Sequence, residues 1–169
     1  MEKNIVFIGM MGCGKTTVGK LLSQRLNRPL VDTDALIEQR QGRPIPEIFA
    51  SGGERVFRAL ELELCRELSR QSGLIIACGG GLPLQDGAIS PLKENGVVFW
   101  LDRDPGETYD TLDVSSRPLA QAGREDFLKR YAARAPIYRR WADRVIPIPA
   151  WPEDTAGLID TICKEVTDL

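Results

Sequence analysis

The sequence predicts an α/β fold, a five-stranded parallel sheet flanked by helices on both faces, and three observations predict it. Short apolar runs alternate with stretches of helical periodicity along the whole chain. The runs are continuously apolar rather than alternating, as strands buried on both faces require. At 169 residues the chain suits one core, which buries roughly 70% of the unfolded surface, so residues 1–169 are expected to form a single domain.

The elements follow in order. Ile5-Val6-Phe7-Ile8 is an apolar run that ends in glycines, as a buried strand feeding a turn does, and Val18, Leu21, Leu22 and Leu26 then recur at helical spacing from near Lys15. Pro29-Leu30-Val31 gives a second strand that stops at Asp32-Thr33-Asp34, and a helix carrying Leu36 and Ile37 follows. Ser51 with Glu54 matches a capping box opening a long helix whose apolar face is Val56, Leu60, Leu64 and Leu68, ending near Gly73. Leu74 to Ala77 is a third strand, running into Gly79-Gly80-Gly81, and Val97 to Leu101 is a fourth, ending at Asp102. Asp104 before Pro105 reads as a helix N-cap with proline in the first turn. Residues 113–123 have neither period and are expected to form a mobile lid. Tyr131 and Tyr138 flank a helix interrupted at Pro136, Val145-Ile146 is a fifth strand, and Leu158, Ile159, Ile162 and Val166 mark a closing helix.

Composition narrows the function classes. Twenty-two Lys and Arg against 24 Asp and Glu leave a formal charge of −2, which gives no global attraction to nucleic acid. No apolar run approaches the roughly 18 residues of a membrane span, and the N-terminal segment lacks the features of a signal peptide, so a cytoplasmic location is expected. Cys13, Cys65, Cys78 and Cys163 contain no C-x-x-C pair and read as reduced thiols. There is no histidine, so proton transfer falls to a carboxylate.

In parallel sheets ligands bind beyond the carboxyl ends of the strands. Gly9, Asp32, Gly79 and Asp102 fall at four such ends. Gly9 to Thr16 fits G-x-x-x-x-G-K-S/T without a gap, the phosphate loop of P-loop proteins. The backbone of Gly12, Cys13, Gly14, Lys15, Thr16 and Thr17 is expected to surround the phosphates of a nucleotide, which by itself leaves kinase, GTPase, ATPase motor and nucleotide sensor open. Lys15 supplies a charge to the β and γ phosphates, and Thr16 offers a hydroxyl to Mg²⁺. Met10 and Met11 are expected to pack. A GTPase would need N-K-x-D, which is absent, and the D-x-x-G at Asp154 to Gly157 lies too late in the chain.

The acceptor side is read from carboxylates, arginines and glycines. Asp32 and Asp34 can divide labour, one holding the Mg²⁺ shell and the other taking a hydroxyl proton, although acidic residues also suit a helix N-terminus for structural reasons. Arg58, three residues before Glu61, can pair with it. Three glycines after a buried strand are expected where a ligand must approach closely.

Taken together, the phosphate loop, Asp32-Thr33-Asp34, Gly53-Glu54-x-x-Phe57-Arg58-x-x-Glu61, Gly79-Gly80-Gly81, Arg117-Pro118-Leu119 and Arg134-x-Pro136-x-Tyr138 resemble the shikimate kinase family, in order and over nearly the whole chain. The resemblance implies a P-loop kinase fold and transfer of the γ-phosphate of ATP to the 3-hydroxyl of shikimate, on the route to chorismate and the aromatic amino acids. It implies an acceptor-binding region at about residues 33–61. Arg58 and Arg134 would clamp the carboxylate, with Asp34 as base or orienter of the ring hydroxyls. Phe57 would be an apolar wall, with Gly79, Gly80 and Gly81 lining the pocket. Asp32 would support Mg²⁺ through water, and Arg117 would close with the lid over the transferring group as a catalytic and ATP-binding residue beside Lys15. ATP and shikimate would be the partners of a monomer.

Two positions depart from the family's pattern. Tyr109-Asp110-Thr111 stands where an arginine commonly stacks on adenine, and Pro149-Ala150-Trp151-Pro152 where another basic residue often lies near the base. Trp151 offers an aromatic face in its place. Two further readings stay open at this point: a P-loop kinase for another hydroxylated acid, of gluconate or aminoshikimate type, and a non-catalytic nucleotide-binding relative.

Overall fold

A computed structural model of the chain describes residues 2–113, 115, 120–149 and 155–167. The strands are β1 (Asn4–Ile8), β2 (Leu30–Asp32), β3 (Ile75–Ala77), β4 (Gly96–Arg103) and β5 (Arg144–Ile148). The helices are α1 (Lys15–Leu26), α2 (Thr33–Gln41), α3 (Ile45–Leu68), α4 (Ile89–Glu94), α5 (Pro105–Asp110), α6 (Arg124–Trp141) and α7 (Thr155–Thr167). All strand pairs are parallel, in the order β2-β3-β1-β4-β5.

The period of two along β1 builds both cores. Val6 and Ile8 pack with Ile48, Leu64, Leu92, Trp100 and Tyr138 on one face, where α3, α4 and α6 lie. Ile5 and Phe7 pack with Val18, Leu22, Phe99, Leu158 and Ile162 on the other, under α1 and α7. With β3 on one side of β1 and β4 on the other, the chain leaves β1 at a switch point, and a crevice opens there. Among the described residues no helix is long and apolar enough to cross a membrane.

The long third helix differs from its sequence reading. It starts at Ile45, behind Pro44, and bends at Gly53, whose φ of 73° and ψ of 177° are not helical. The Ser51 hydroxyl makes no capping box with Glu54; it accepts from Arg43 Nη1 at 2.6 Å and donates to Ile48 O. Leu64 and Leu68 are buried as expected, but after the break at Gly53 the buried positions one and two turns earlier are Phe57 and Glu61 rather than Val56 and Leu60, and Val56 is 41% exposed. The helix ends at Leu68, ahead of Gly73. α6 likewise runs without a stop through Pro136, carrying both Tyr131 and Tyr138. The Asp104 cap is formed as expected, its Oδ1 accepting from Glu107 N at 2.9 Å.

Candidate active site

Beyond the carboxyl end of β1 lies a cavity of 580 Å³, ordinary for a small-molecule site. The phosphate loop forms one wall because three glycines allow it: Gly9, Gly12 and Gly14 have φ of 147°, 77° and 103°, which other residues rarely adopt. Gly9 has no room for a side chain either, since a Cβ there would stand 2.8 Å from both Leu101 O and Cys13 Sγ. Gly12, Gly14, Lys15, Thr16 and Thr17 line the cavity. Cys13 points its side chain into the core, and its amide donates to Met10 O at 3.2 Å. Met10 packs as expected, but Met11 lines the cavity.

Lys15 is buried, and its ammonium donates to Gly9 O at 2.7 Å and Met10 O at 2.8 Å. The loop's own carbonyls therefore hold a positive charge at the cavity wall. Thr16 Oγ1 donates to Asp32 Oδ2 at 2.7 Å, and Asp32 Oδ1 accepts from Ala35 N at 3.1 Å as the cap of α2. Asp32 thus serves helix and site together. With its proton committed to Asp32, the Thr16 hydroxyl keeps its lone pairs for a hard cation. Oxygen donors of this kind, with water and phosphate completing the shell, fit Mg²⁺.

Asp34, in the first turn of α2, lines the same cavity. Its Oδ1 is buried without a hydrogen-bond partner. Burial, and behind it the neighbouring Asp32 carboxylate, push its pKa upward, while Lys15 and Arg58 pull it back. A carboxylate held in this way is a stronger proton acceptor than one in water.

The glycine run after β3 is a seam along which Asp34, Arg134 and Arg58, the residues expected to meet the acceptor, lie. A Cβ at Gly79 would stand 2.6 Å from Asp34 Oδ1, one at Gly80 3.5 Å from Arg134 Nη1, and one at Gly81 2.8 Å from Arg58 Nη2. Each glycine passes one functional side chain. Gly79 and Gly80 line the cavity, while Gly81, Phe57, Arg58 and Arg134 continue the seam beyond its wall.

Arg58 Nη1 pairs with Glu61 Oε2 at 2.7 Å, its Nε with Glu54 Oε1 at 3.3 Å, and its guanidinium lies 5.4 Å from the Phe57 ring centroid. Glu61, 1% exposed, also accepts from Gln85 Nε2. Burial raises Glu61 to about 7 against the pull of Arg58. Arg134 is buried on α6, and one turn later Tyr138 donates to Gly80 O at 2.7 Å, tying that helix to the seam.

Several of these contacts were not read from sequence. Thr33 Oγ1 accepts from Gly79 N at 3.0 Å and locks the seam to α2, while Glu38, Leu112 and Arg103 line the cavity. Of the four strand ends expected to converge, that of β4 contributes a different residue: Asp102 turns away to accept from Tyr131 Oη at 2.6 Å, and Arg103 faces the cavity. Strand alternation was the available signal, since neighbours on a strand point to opposite faces. Asp110 pairs with Arg124 Nε at 3.1 Å. Arg117 and Trp151 lie outside the described residues.

Comparison with known proteins places this geometry among relatives. The family model described as shikimate kinase matches residues 11–164. A shikimate kinase of Clostridium beijerinckii is 41% identical, over 86% of this chain and 86% of the relative. One of Dehalococcoides mccartyi is 43% identical over 86% and 84%. Among solved structures, shikimate kinase from Acinetobacter baumannii in complex with shikimate superposes with a TM-score of 0.88 at 32% identity, covering 99% of this chain and 94% of that one.

Proposed function

The chain belongs to the shikimate kinase family, and from that premise we infer that it is an ATP-dependent kinase moving the γ-phosphate of ATP to the 3-hydroxyl of shikimate. The observation that carries the reading is the seam: Gly79, Gly80 and Gly81 set Asp34, Arg134 and Arg58 in a row beside the Lys15 cradle. A carboxylate with two arginines matches a ligand with an anionic end and a hydroxylated ring.

The residues divide the work. Amides of the phosphate loop and the N-terminus of α1 hold the triphosphate. Lys15 exchanges the Gly9 and Met10 carbonyls for phosphate oxygens. Arg58, aimed by Glu61, and Arg134 bind the shikimate carboxylate and so orient the ring. Asp34 accepts the proton of the 3-hydroxyl as its oxygen bonds to phosphorus and the bond to the leaving ADP breaks. Holding both reactants in line provides much of the acceleration. Thr16, and Asp32 through water, would hold Mg²⁺, which when bound neutralises charge on the β and γ oxygens. Arg117 is assigned to the transferring group on the sequence resemblance, and residues 113–123 to a lid on their lack of either period. A monomeric single domain acting in the cytoplasm completes the proposal.

A coupled assay of ADP release against shikimate, gluconate and an aminated shikimate tests it. Turnover that depends on shikimate is expected. Turnover with another acid in its place, or nucleotide binding without turnover, would overturn the assignment.

A further inference from the structure

Among the described residues, Arg103 is the one cavity-lining cation that the roles above leave unused. It ends β4 beside β1, where the register Ile8 to Trp100 brings the end of β4 alongside the phosphate loop. The residue is only 7% exposed. Nη1 donates to Gly12 O at 3.2 Å, and Nε is buried with no partner. Among the described residues no carboxylate forms an ion pair with it. The flanking acids are engaged elsewhere, Asp102 with Tyr131 and Asp104 at the start of α5.

A guanidinium stays charged at any working pH, and burying it with a single carbonyl contact and an orphaned N–H is costly. Folds keep such groups where a ligand satisfies them. Arg103 lines the cavity together with Gly12, Gly14, Lys15 and Thr16, so the anion within its reach is the one the loop holds. We propose that Arg103 is a second fixed cation of the nucleotide site, binding the polyphosphate of ATP and ADP while its Nη1 contact holds the Gly12 turn of the loop. The observations that carry this are the cavity position, the burial and the unpaired Nε. Lys15 provides a point charge, whereas Arg103 adds a directional donor.

The proposal rests on the nucleotide reading of the cavity, and calorimetry on the full chain separates the two. Wild-type protein is titrated with Mg-ADP, with inorganic tripolyphosphate and with shikimate. Failure of the wild type to bind ADP would sink the nucleotide reading itself. Given binding, Arg103→Met should weaken ADP and tripolyphosphate by about tenfold or more and leave shikimate nearly unchanged, with KM for ATP rising in step. Arg103→Lys should restore part of the affinity, because it keeps the charge and loses the fork. Unchanged ADP and tripolyphosphate affinity in Arg103→Met overturns the proposal. So does a loss shared equally by shikimate with a lower Tm, which would make the residue a prop for the loop only. Should the Met variant not fold, the wild-type Arg103 Nε–H resonance decides: it should shift on tripolyphosphate addition, and an unmoved signal rejects the contact.

Discussion

A single methyl group added at Gly79 should disable the acceptor side of the cavity and spare the nucleotide side. Gly79 has no left-handed φ, so alanine can adopt its backbone and the penalty is steric. The new Cβ would lie 2.6 Å from Asp34 Oδ1 and 3.1 Å from both Cγ and Oδ2, where ordinary contact begins at 3.4 Å. Asp34 would have to withdraw by about 0.8 Å, and a misplacement near 1 Å costs roughly a hundredfold in rate. Its short side chain has no flexible far end to absorb the clash, so overpacking should also cost about 1–3 kcal/mol of stability. The seam supplies its own controls. A Cβ at Gly80 meets nothing nearer than 3.4 Å, and one at Gly81 meets Arg58 Nη2 at 2.8 Å, the far end of a long side chain. Turnover should therefore fall most in Gly79→Ala and least in Gly80→Ala, whereas Gly81→Ala should act mainly on KM for shikimate. ADP-release kinetics with both substrates varied, alongside thermal melts and ADP titrations, read all of this. Wild-type kcat in Gly79→Ala, or a larger loss in Gly80→Ala, would refute the seam as the device that sets Asp34.

Asp34→Asn should lower kcat by about 10²- to 10⁴-fold with ADP affinity nearly intact, and calorimetry beside steady-state kinetics checks both halves. Arg134→Ala should raise KM for shikimate by about 10- to 100-fold, through loss of a charge-assisted pair, and unchanged saturation would remove Arg134 from the site. Glu61 gives a pH prediction. Its folded pKa is raised from 4.5 to about 7, so the native state binds the extra proton between those values. Its contribution to stability is fully present below about pH 4.5 and is lost as pH rises through 7, a change of about 3 kcal/mol. Asp34, also raised, adds in the same direction. Urea unfolding at pH 5 and pH 8 should show a smaller pH dependence in Glu61→Gln than in the wild type, and equal slopes would count against the buried charge.

What could be read from the sequence was whatever depends on short spacing. The phosphate loop is contiguous, and its glycines are imposed by backbone conformation at Gly9, Gly12 and Gly14, so eight residues suffice to state it. The strands were recognisable because continuous apolar runs have few other uses in a chain this size. The Arg58 to Glu61 pair follows from helical geometry at three residues' separation. Local pattern misled where a local feature was overridden. Ser51 and Glu54 form an N-cap pattern, yet Gly53 leaves the helical region between them, and the face moves from Val56 to Phe57. Arg134 could not be read from spacing at all, since its meaning depends on α6 crossing the seam at Gly80. Only resemblance to a family pointed to it. Arg103 was hidden because the apolar run that marks β4 stops at Asp102, one residue before the side chain that faces the cavity.

Among the described residues two buried side-chain polar atoms lack partners, Asp34 Oδ1 and Arg103 Nε, and both residues line the same cavity. Their signs are opposite. Had they been neighbours in the fold, each would have satisfied the other and the site would be an inert ion pair. The phosphate loop and the glycine seam keep them on separate parts of the cavity wall, so each retains its demand for a ligand of complementary character. On the proposed reading, an anionic polyphosphate would answer the arginine and a hydroxyl proton the carboxylate, with the phosphoryl group passing between the two ligands so held. Unfavourable burial at these two atoms is thus a cost the folded protein carries, and on that reading each ligand would relieve its own share.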